Sequence, residues 1–183
     1  MKTVSTQYLT RAAMLLALVV VFQNLRIIPF FSDANPMSVF IIGSLVNMTL
    51  ILACEFTGFG AAFGISILSA VIALMQGHIK LPILMPIVAI GNTVLVVAYY
   101  YLMKRNRYIA VIVGATLKWS FLFLATSQLL GLFVKIDPKI LSKVVATFNL
   151  PQIITALIGG FLAIIIANYI GKSKAIRDDS SVG

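Results

Sequence analysis

Long runs of apolar residues constrain this chain more than any other feature of its sequence. Runs of about 20 such residues recur along the chain from the N-terminal region to about residue 170. A helix of that length crosses roughly 30 Å of hydrocarbon. Hydrophobic residues make up 61% of the 183 positions and charged residues only 10%, whereas soluble domains average about 25% charged residues. The sequence therefore predicts an all-α integral membrane protein.

Six candidate transmembrane spans account for nearly the whole chain. They lie at about 8–29, 37–54, 59–75, 83–103, 108–134 and 150–170. Pro36 precedes the second span in the first-turn position that suits proline. The partly polar connection 135–148 is long enough for a short interfacial helix. We predict a single six-helix transmembrane domain over residues 1–171 and a hydrophilic cytoplasmic tail over residues 172–183.

The distribution of lysine and arginine predicts the orientation. If the N-terminus is cytoplasmic, the inner side carries more basic residues than the outer side, and cytoplasmic loops carry such an excess. The net charge of +9 is then explained by helix orientation and contact with anionic lipid rather than by nucleic acid. We predict that both termini are cytoplasmic. The inner set is Lys2, Arg11, Lys104, Arg105, Arg107, Lys172, Lys174 and Arg177, and the outer set is Arg26, Lys80, Lys135, Lys139 and Lys143.

Two polar residues lie deep in the predicted spans. Lys118 is about ten residues, or roughly 15 Å, into the fifth span. Asn92 is equally far into the fourth span, which runs in the opposite direction, so the two reach similar depth. A lysine at this depth costs about 2.5–3.5 kcal/mol and needs a partner or a wet cavity. Lys118 either pairs with a backbone carbonyl or amide, or snorkels, or contacts a ligand. Because no Asp or Glu lies within a predicted span, we favour an anionic or strongly hydrogen-bond-accepting ligand.

Further amides lie toward the predicted outer half of the membrane. Each one alone favours a helix–helix hydrogen bond, but several of them together with a lysine favour a pocket that opens to the outside. In the first span, Asn24 lies only about 20° from Ala17 around the helix, so it cannot easily line the pocket if Ala17 faces another subunit. Gln23 is therefore the better pocket residue, unless the helix bends or breaks. The predicted substrate-binding residues are Lys118, Asn92, Gln128, Asn149, Gln152, Gln23 and Trp119.

Small residues indicate close helix packing at three places. Ala13 and Ala17 lie four residues apart, on one face of the first span, and offer a smooth surface to another helix. Gly60 and Gly64 in the third span and the Gly159-Gly160 pair in the sixth also allow helix backbones to approach closely.

Catalysis and metal binding receive little support from the sequence. The chain has no Gly-x-x-x-x-Gly-Lys-Ser/Thr phosphate loop, no intramembrane Asp pair and no Ser beside a base. His78 is the single histidine and has no Cys or carboxylate cluster around it, and Cys54 is the single cysteine. We predict that the protein is not an enzyme and has no cofactor or metal.

These features resemble the substrate-binding S components of energy-coupling factor (ECF) transporters. The resemblance rests on the chain length, six spans, the Ala13-Met-Leu-Leu-Ala17 segment, and the segments PIVAIGN at 86–92, LKWSF at 117–121 and NLPQ at 149–152. It implies a subunit of a prokaryotic cell membrane that captures a small water-soluble vitamin or related micronutrient from outside. It also implies docking through Ala13 and Ala17 on a scaffold transmembrane subunit that is connected to two ATPases.

Two other functions remain open at the level of the sequence. One is a small self-sufficient secondary transporter or channel, and the other is a ligand-free membrane assembly subunit whose amides only join helices. The ligand itself is not readable. Lys118 is compatible with a carboxylate, as in a pantothenate-like acid, or with a carbonyl-rich ring, as in a pyrimidine or flavin-like compound.

Overall fold

The computed structural model is helical throughout the residues that it describes, which are 5–31, 35–79, 81–129 and 138–180, with no strand among them. Five helices are long and apolar enough to cross a membrane, and the 17-residue α3 is a shorter apolar helix. The prediction of an all-α membrane protein with six transmembrane helices is thus confirmed. The helices are α1 (Thr6–Asn24), α2 (Pro36–Thr57), α3 (Phe59–Met75), α4 (Leu84–Leu102), α5 (Arg107–Leu124), α6 (Pro138–Thr147) and α7 (Leu150–Ser180).

Local capping groups explain where several helices begin. α2 starts at Pro36 as predicted, and the Asn35 side chain accepts a hydrogen bond from the Met37 amide at 3.0 Å. The side chain of Asn106 likewise accepts from the amides of Tyr108 and Ile109 at the start of α5. These short polar side chains satisfy backbone donors that have no partner within the helix.

The C-terminal ends of α1, α5 and α7 differ from the predicted spans. α1 ends at Asn24 and continues as a short 3-10 helix, Leu25–Ile27. α5 ends at Leu124 and passes into a π-helical segment, Ala125–Leu129; the rest of the predicted fifth span, 130–134, lies outside the described residues. α7 continues to Ser180 and so includes most of the segment that we expected as a tail. The expected short helix in the 135–148 connection is α6.

Glu55 is a correction to the sequence analysis. We placed it in the connection between two spans, but it lies in the last turn of α2, which extends three residues beyond Cys54. The chain reverses at a single residue, Gly58, whose φ of 74° favours glycine. Because the turn to α3 takes only Gly58, α2 continues for three residues past Cys54 and carries the Glu55 carboxylate in its last turn.

α2 is the central helix of the bundle and α1 is the most peripheral. About 67% of the residues in an 18-residue apolar stretch of α2 are buried, against 17% in the corresponding stretch of α1. α2 packs along α7, α1 and α3, while α4 packs between α3 and α5. Ala13 and Ala17 are both exposed on α1. The bundle therefore leaves most of the surface of α1 free to contact lipid or another protein.

The predicted close packing occurs at one of the two glycine pairs. A Cβ atom on Gly159 of α7 would overlap the backbone of α2, with the Ser44 oxygen and the Met48 nitrogen nearest. Gly64 of α3 has no atom within 4 Å of such a position. Glycine is therefore needed where α7 crosses α2, whereas the expectation of tight packing at Gly64 is wrong within this chain.

Candidate functional site

Lys118 lies in the middle of the helix bundle and is only 3% exposed. Its ammonium donates to the side-chain oxygens of two asparagines, at 2.6 Å to Asn47 Oδ1 of α2 and 2.7 Å to Asn92 Oδ1 of α4. The sequence analysis expected Lys118 and Asn92 at the same depth, and the structure brings them together. Their partner Asn47 was not among the predicted residues.

Hydrogen bonds extend from this centre to the remaining membrane helices. Asn92 Nδ2 donates to Ser69 Oγ of α3 at 2.9 Å, and Asn47 Nδ2 donates to Thr155 Oγ1 of α7 at 3.3 Å. Gln23 Nε2 of α1 donates to the Ser69 backbone oxygen at 2.9 Å. One residue from each of the six membrane helices therefore takes part. We call this set, Gln23, Asn47, Ser69, Asn92, Lys118 and Thr155, the Lys118 network.

Among the residues that the structure describes, no carboxylate lies beside the lysine of the Lys118 network. Both acceptors of its ammonium are neutral amide oxygens. Glu55 lies eight residues from Asn47 on α2, about 12 Å along the helix, and there it accepts from the Tyr99 hydroxyl at 2.6 Å and pairs with Arg107 at 3.1 Å. Because amide oxygens satisfy hydrogen bonds without neutralising charge, the lysine keeps most of its desolvation cost.

Gln23 joins the network from the last turn of α1, through its hydrogen bond to Ser69 of α3. It is 6% exposed, and its Oε1 atom is buried without a hydrogen-bond partner. Asn24, on the next position, instead donates to the Val20 carbonyl of its own helix at 3.0 Å. The helix geometry that favoured Gln23 over Asn24 in the sequence thus agrees with their positions in the structure. A buried amide oxygen without a partner is costly, so this atom can accept a hydrogen bond from a bound molecule.

Three other predicted residues lie apart from the Lys118 network: Trp119 follows Lys118 on α5, and Asn149 and Gln152 lie at the start of α7. The Trp119 indole donates to Asn149 Oδ1 at 3.2 Å and stacks on Phe123. Gln152 Nε2 donates to the Thr147 carbonyl at 3.4 Å. These contacts join α5, α6 and α7 at the end of the bundle that the charge distribution places outside.

Gln128 lies in the π-helical segment and is exposed. The structure shows no contact between its side chain and the described residues of the Lys118 network. π-Helical turns are rare and occur frequently at functional sites. Gln128 thus lies beyond the end of α5, farther toward the predicted outer surface than Lys118 and Trp119.

The sequence contained a signal for one of the residues that we missed. Asn47 lies near the middle of the second span, so the depth count that identified Lys118 and Asn92 would have found it too. Ser69 and Thr155 gave no such signal, since serine and threonine hydroxyls in helices commonly bond to their own backbone. Both in fact do so here, donating to the Ser66 and Gln152 carbonyls while they accept from the asparagines.

A surface cavity of the bundle is separate from the Lys118 network. It is a groove of about 650 Å³ between α3, α4 and α5, lined by residues such as Phe63, Ile67, Ile90 and Leu117, all of which are exposed. Its lining is apolar, and Thr93 is its one polar side chain. The groove lies on the outside of the bundle, and its one polar group is already paired with the Ser66 hydroxyl, so it is poorly suited to a polar molecule.

The fold and the buried polar residues together define a polytopic membrane protein with a hydrogen-bond network inside its helix bundle. Within the described residues, no group of three or more His, Cys, Asp and Glu side chains is placed to hold a metal ion. Residues 7–171 match the model of the family described as ECF transporter, substrate-specific component. The chain belongs to this family and is a substrate-specific subunit of an ECF transporter. Comparisons with curated proteins and with solved structures give no match.

Proposed function

We propose that the protein captures a small water-soluble vitamin or related micronutrient on the outside of a prokaryotic cell. It then delivers this molecule to the cytoplasm together with a scaffold transmembrane subunit and two ATPases. The observation that supports the proposal most strongly is the Lys118 network, in which polar groups from six membrane helices meet around a lysine with no carboxylate beside it. Such a set is expensive in a membrane and is expected where a ligand is recognised.

The predicted site residues divide into two roles in this proposal. Lys118, Asn92 and Gln23, with Asn47, bind the polar groups of the substrate in the middle of the bundle. Gln128, Trp119, Asn149 and Gln152 lie along the path from the outside. Lys118 is almost fully buried, so the helices that carry the second set must separate for the substrate to reach it. The hydrogen bond between Trp119 and Asn149 is the described contact that would break.

The exposed face of α1 is the proposed docking surface for the scaffold subunit. Ala13 and Ala17 point away from the bundle, and small side chains allow a second helix to pack closely and to separate again. Replacing both by tryptophan should abolish uptake in proteoliposomes that contain all subunits and ATP, because the scaffold can no longer approach α1. Binding of the substrate to the purified variant should be unchanged.

A matched control is available on another helix. Ile112 is 49% exposed on α5, and Ile112→Trp adds a similar bulk to a surface remote from α1. This variant should transport normally. Normal uptake by the Ala13→Trp/Ala17→Trp variant would show that the docking assignment is wrong, and uptake without the ATPases would identify a self-sufficient transporter instead. Mass spectrometry of small molecules released from the purified protein tests substrate capture itself.

A further inference from the structure

We infer that the Lys118 network recognises a carboxylate group on the substrate. The inference rests on the proposed function and adds the chemical class of the molecule. It starts from the donors and acceptors of the network. An ammonium has three N–H donors and a carboxamide nitrogen has two, yet the structure shows two partners for Lys118 and one for each of the Asn47 and Asn92 nitrogens. The ammonium and the two amide nitrogens thus each keep one N–H without a described partner, and an acceptor on a bound molecule can take these N–H groups.

The two asparagine oxygens hold the positions that a carboxylate would take. They approach the ammonium at 2.6 and 2.7 Å from two different helices, α2 and α4. A carboxylate presents two oxygens with about four lone-pair sites. It can replace both amide oxygens at Lys118, and a rotation of each amide then directs N–H groups at the bound oxygens. The displaced amide oxygens turn toward Ser69 and Thr155, whose hydroxyls can donate to them instead of to the Ser66 and Gln152 carbonyls. The lysine gains a negative partner.

A neutral substrate would satisfy this centre less well. A carboxamide or hydroxyl group supplies an oxygen but no charge, so it would accept hydrogen bonds from Lys118 without neutralising a buried ammonium. Binding of such a neutral group would replace one neutral hydrogen-bond acceptor of Lys118 by another. We therefore expect an acid to bind at least about tenfold more tightly than the neutral analogue of the same shape.

The test compares matched acids and neutral analogues on the purified full-length chain. Suitable pairs are biotin and biotinamide, pantothenate and pantothenol, and nicotinate and nicotinamide, with binding measured by thermal stabilisation and by equilibrium dialysis. For the vitamin that binds, the acid should bind at least about tenfold more tightly than its partner. Lys118→Met should remove this preference. Leu117→Met is the control, because Leu117 is exposed on the same helix, and it should retain the preference.

A second measurement decides the matter if Lys118→Met does not fold or if none of the pairs binds. The small molecule released from the wild-type protein is identified by mass spectrometry, and a carboxyl group in it supports the inference. A released molecule without a carboxyl group, or equal binding of acid and neutral partner, overturns the inference and leaves the proposed function intact. A protein that binds none of the compounds and releases no small molecule would overturn the proposed function as well.

Discussion

Gln23 of α1 is hydrogen-bonded to the backbone carbonyl of Ser69 on α3, with 2.9 Å between Nε2 and the oxygen. The Ser69 hydroxyl in turn accepts from Asn92, which accepts from Lys118. α1 is the least buried of the membrane spans and carries the exposed Ala13 and Ala17. The helix proposed to contact the scaffold is thus connected to the proposed substrate site by a single polar side chain.

Replacement of Gln23 by leucine should loosen the attachment of α1 to the bundle. The variant loses one hydrogen bond to α3, and such bonds between membrane helices contribute about 0.6–2 kcal/mol. It also removes the buried Oε1 atom that has no partner, which offsets part of the loss. We expect the free energy of unfolding in lipid micelles to fall by about 0.5–1 kcal/mol.

Asn24→Leu is the matched control for this prediction. Asn24 is the next residue on the same helix, but it bonds only to the Val20 carbonyl of α1 itself. The unfolding free energy of Asn24→Leu should stay within about 0.5 kcal/mol of the wild type. If the two variants lose equal stability, the bond from Gln23 to Ser69 does not hold α1 in place.

Asn47 and Lys118 should be strongly coupled in a double-mutant cycle. Asn47→Leu removes one of the two acceptors of a buried ammonium, so this single change should destabilise the protein by more than a typical hydrogen bond. Lys118→Met together with Asn47→Leu removes both partners, and replacing both by apolar groups can be nearly neutral. We expect the double variant to be more stable than the sum of the singles by about 1–3 kcal/mol.

The cycle is measured by denaturant titration of the four proteins in the same micelles. Additive changes, with a coupling below about 0.3 kcal/mol, would contradict a direct interaction between the two side chains. Thr155 receives a hydrogen bond from Asn47 as well. In the Asn47→Leu background this hydrogen bond is already lost, so adding Thr155→Val should change the free energy of unfolding little. This result would separate the contact of Asn47 with Thr155 from its contact with Lys118.

The sequence predicted the parts of this site that depend on helix geometry alone. Counting residues from the ends of the spans places Lys118 and Asn92 at the same depth, and the 100° step of an α-helix separates Gln23 from Asn24. Neither rule says which helices are neighbours, so the contact of α2 with α5 through Asn47 was not foreseen. The position of Glu55 was missed for another reason. A helix in a membrane can extend past its apolar run when a charged residue finds a partner.

That partner is Arg107, and Arg107→Met should destabilise the end of the bundle predicted to be cytoplasmic. Its guanidinium pairs with Glu55 at 3.1 Å and donates to Asn168 Oδ1 of α7 at 2.9 Å. The Glu55 side chain is 8% exposed, so the substitution leaves a nearly buried carboxylate with Tyr99 as its remaining described partner. Because the arginine itself is 43% exposed, we expect a moderate loss of about 1–2 kcal/mol of unfolding free energy.

Arg105→Met tests whether the loss comes from these contacts or from the removed positive charge. Arg105 is exposed two residues earlier, in the turn between α4 and α5, and its replacement should change stability by no more than about 0.5 kcal/mol. The double substitution Glu55→Gln/Arg107→Met should be more stable than Arg107→Met alone, since it removes the buried charge. A double variant that is less stable would show that the Glu55 carboxylate stabilises the bundle even without Arg107, through its hydrogen bond from Tyr99.

Two glycine-to-alanine substitutions should have opposite effects because the two glycines have opposite surroundings. At Gly159 the added methyl group would meet the backbone of α2 at Ser44 and, 2.8 Å away, the Met48 nitrogen. Backbone atoms cannot rotate aside as a side chain can, so α7 must move away from α2. We expect a loss of about 1–3 kcal/mol for this overpacking. At Gly64 the methyl group meets no atom within 4 Å, and alanine favours a helix over glycine by about 0.5–1 kcal/mol.

The difference between these two variants also tests the packing on which the Lys118 network depends. α2 and α7 carry Asn47 and Thr155, and Gly159 lies one turn beyond Thr155 on α7. A shift of α7 away from α2 should lengthen the 3.3 Å hydrogen bond between these side chains and weaken substrate binding together with stability. Gly64→Ala should leave binding unchanged. If Gly159→Ala lowers stability but binds substrate as tightly as Gly64→Ala, then the contact between Asn47 and Thr155 does not position the amide that faces Lys118.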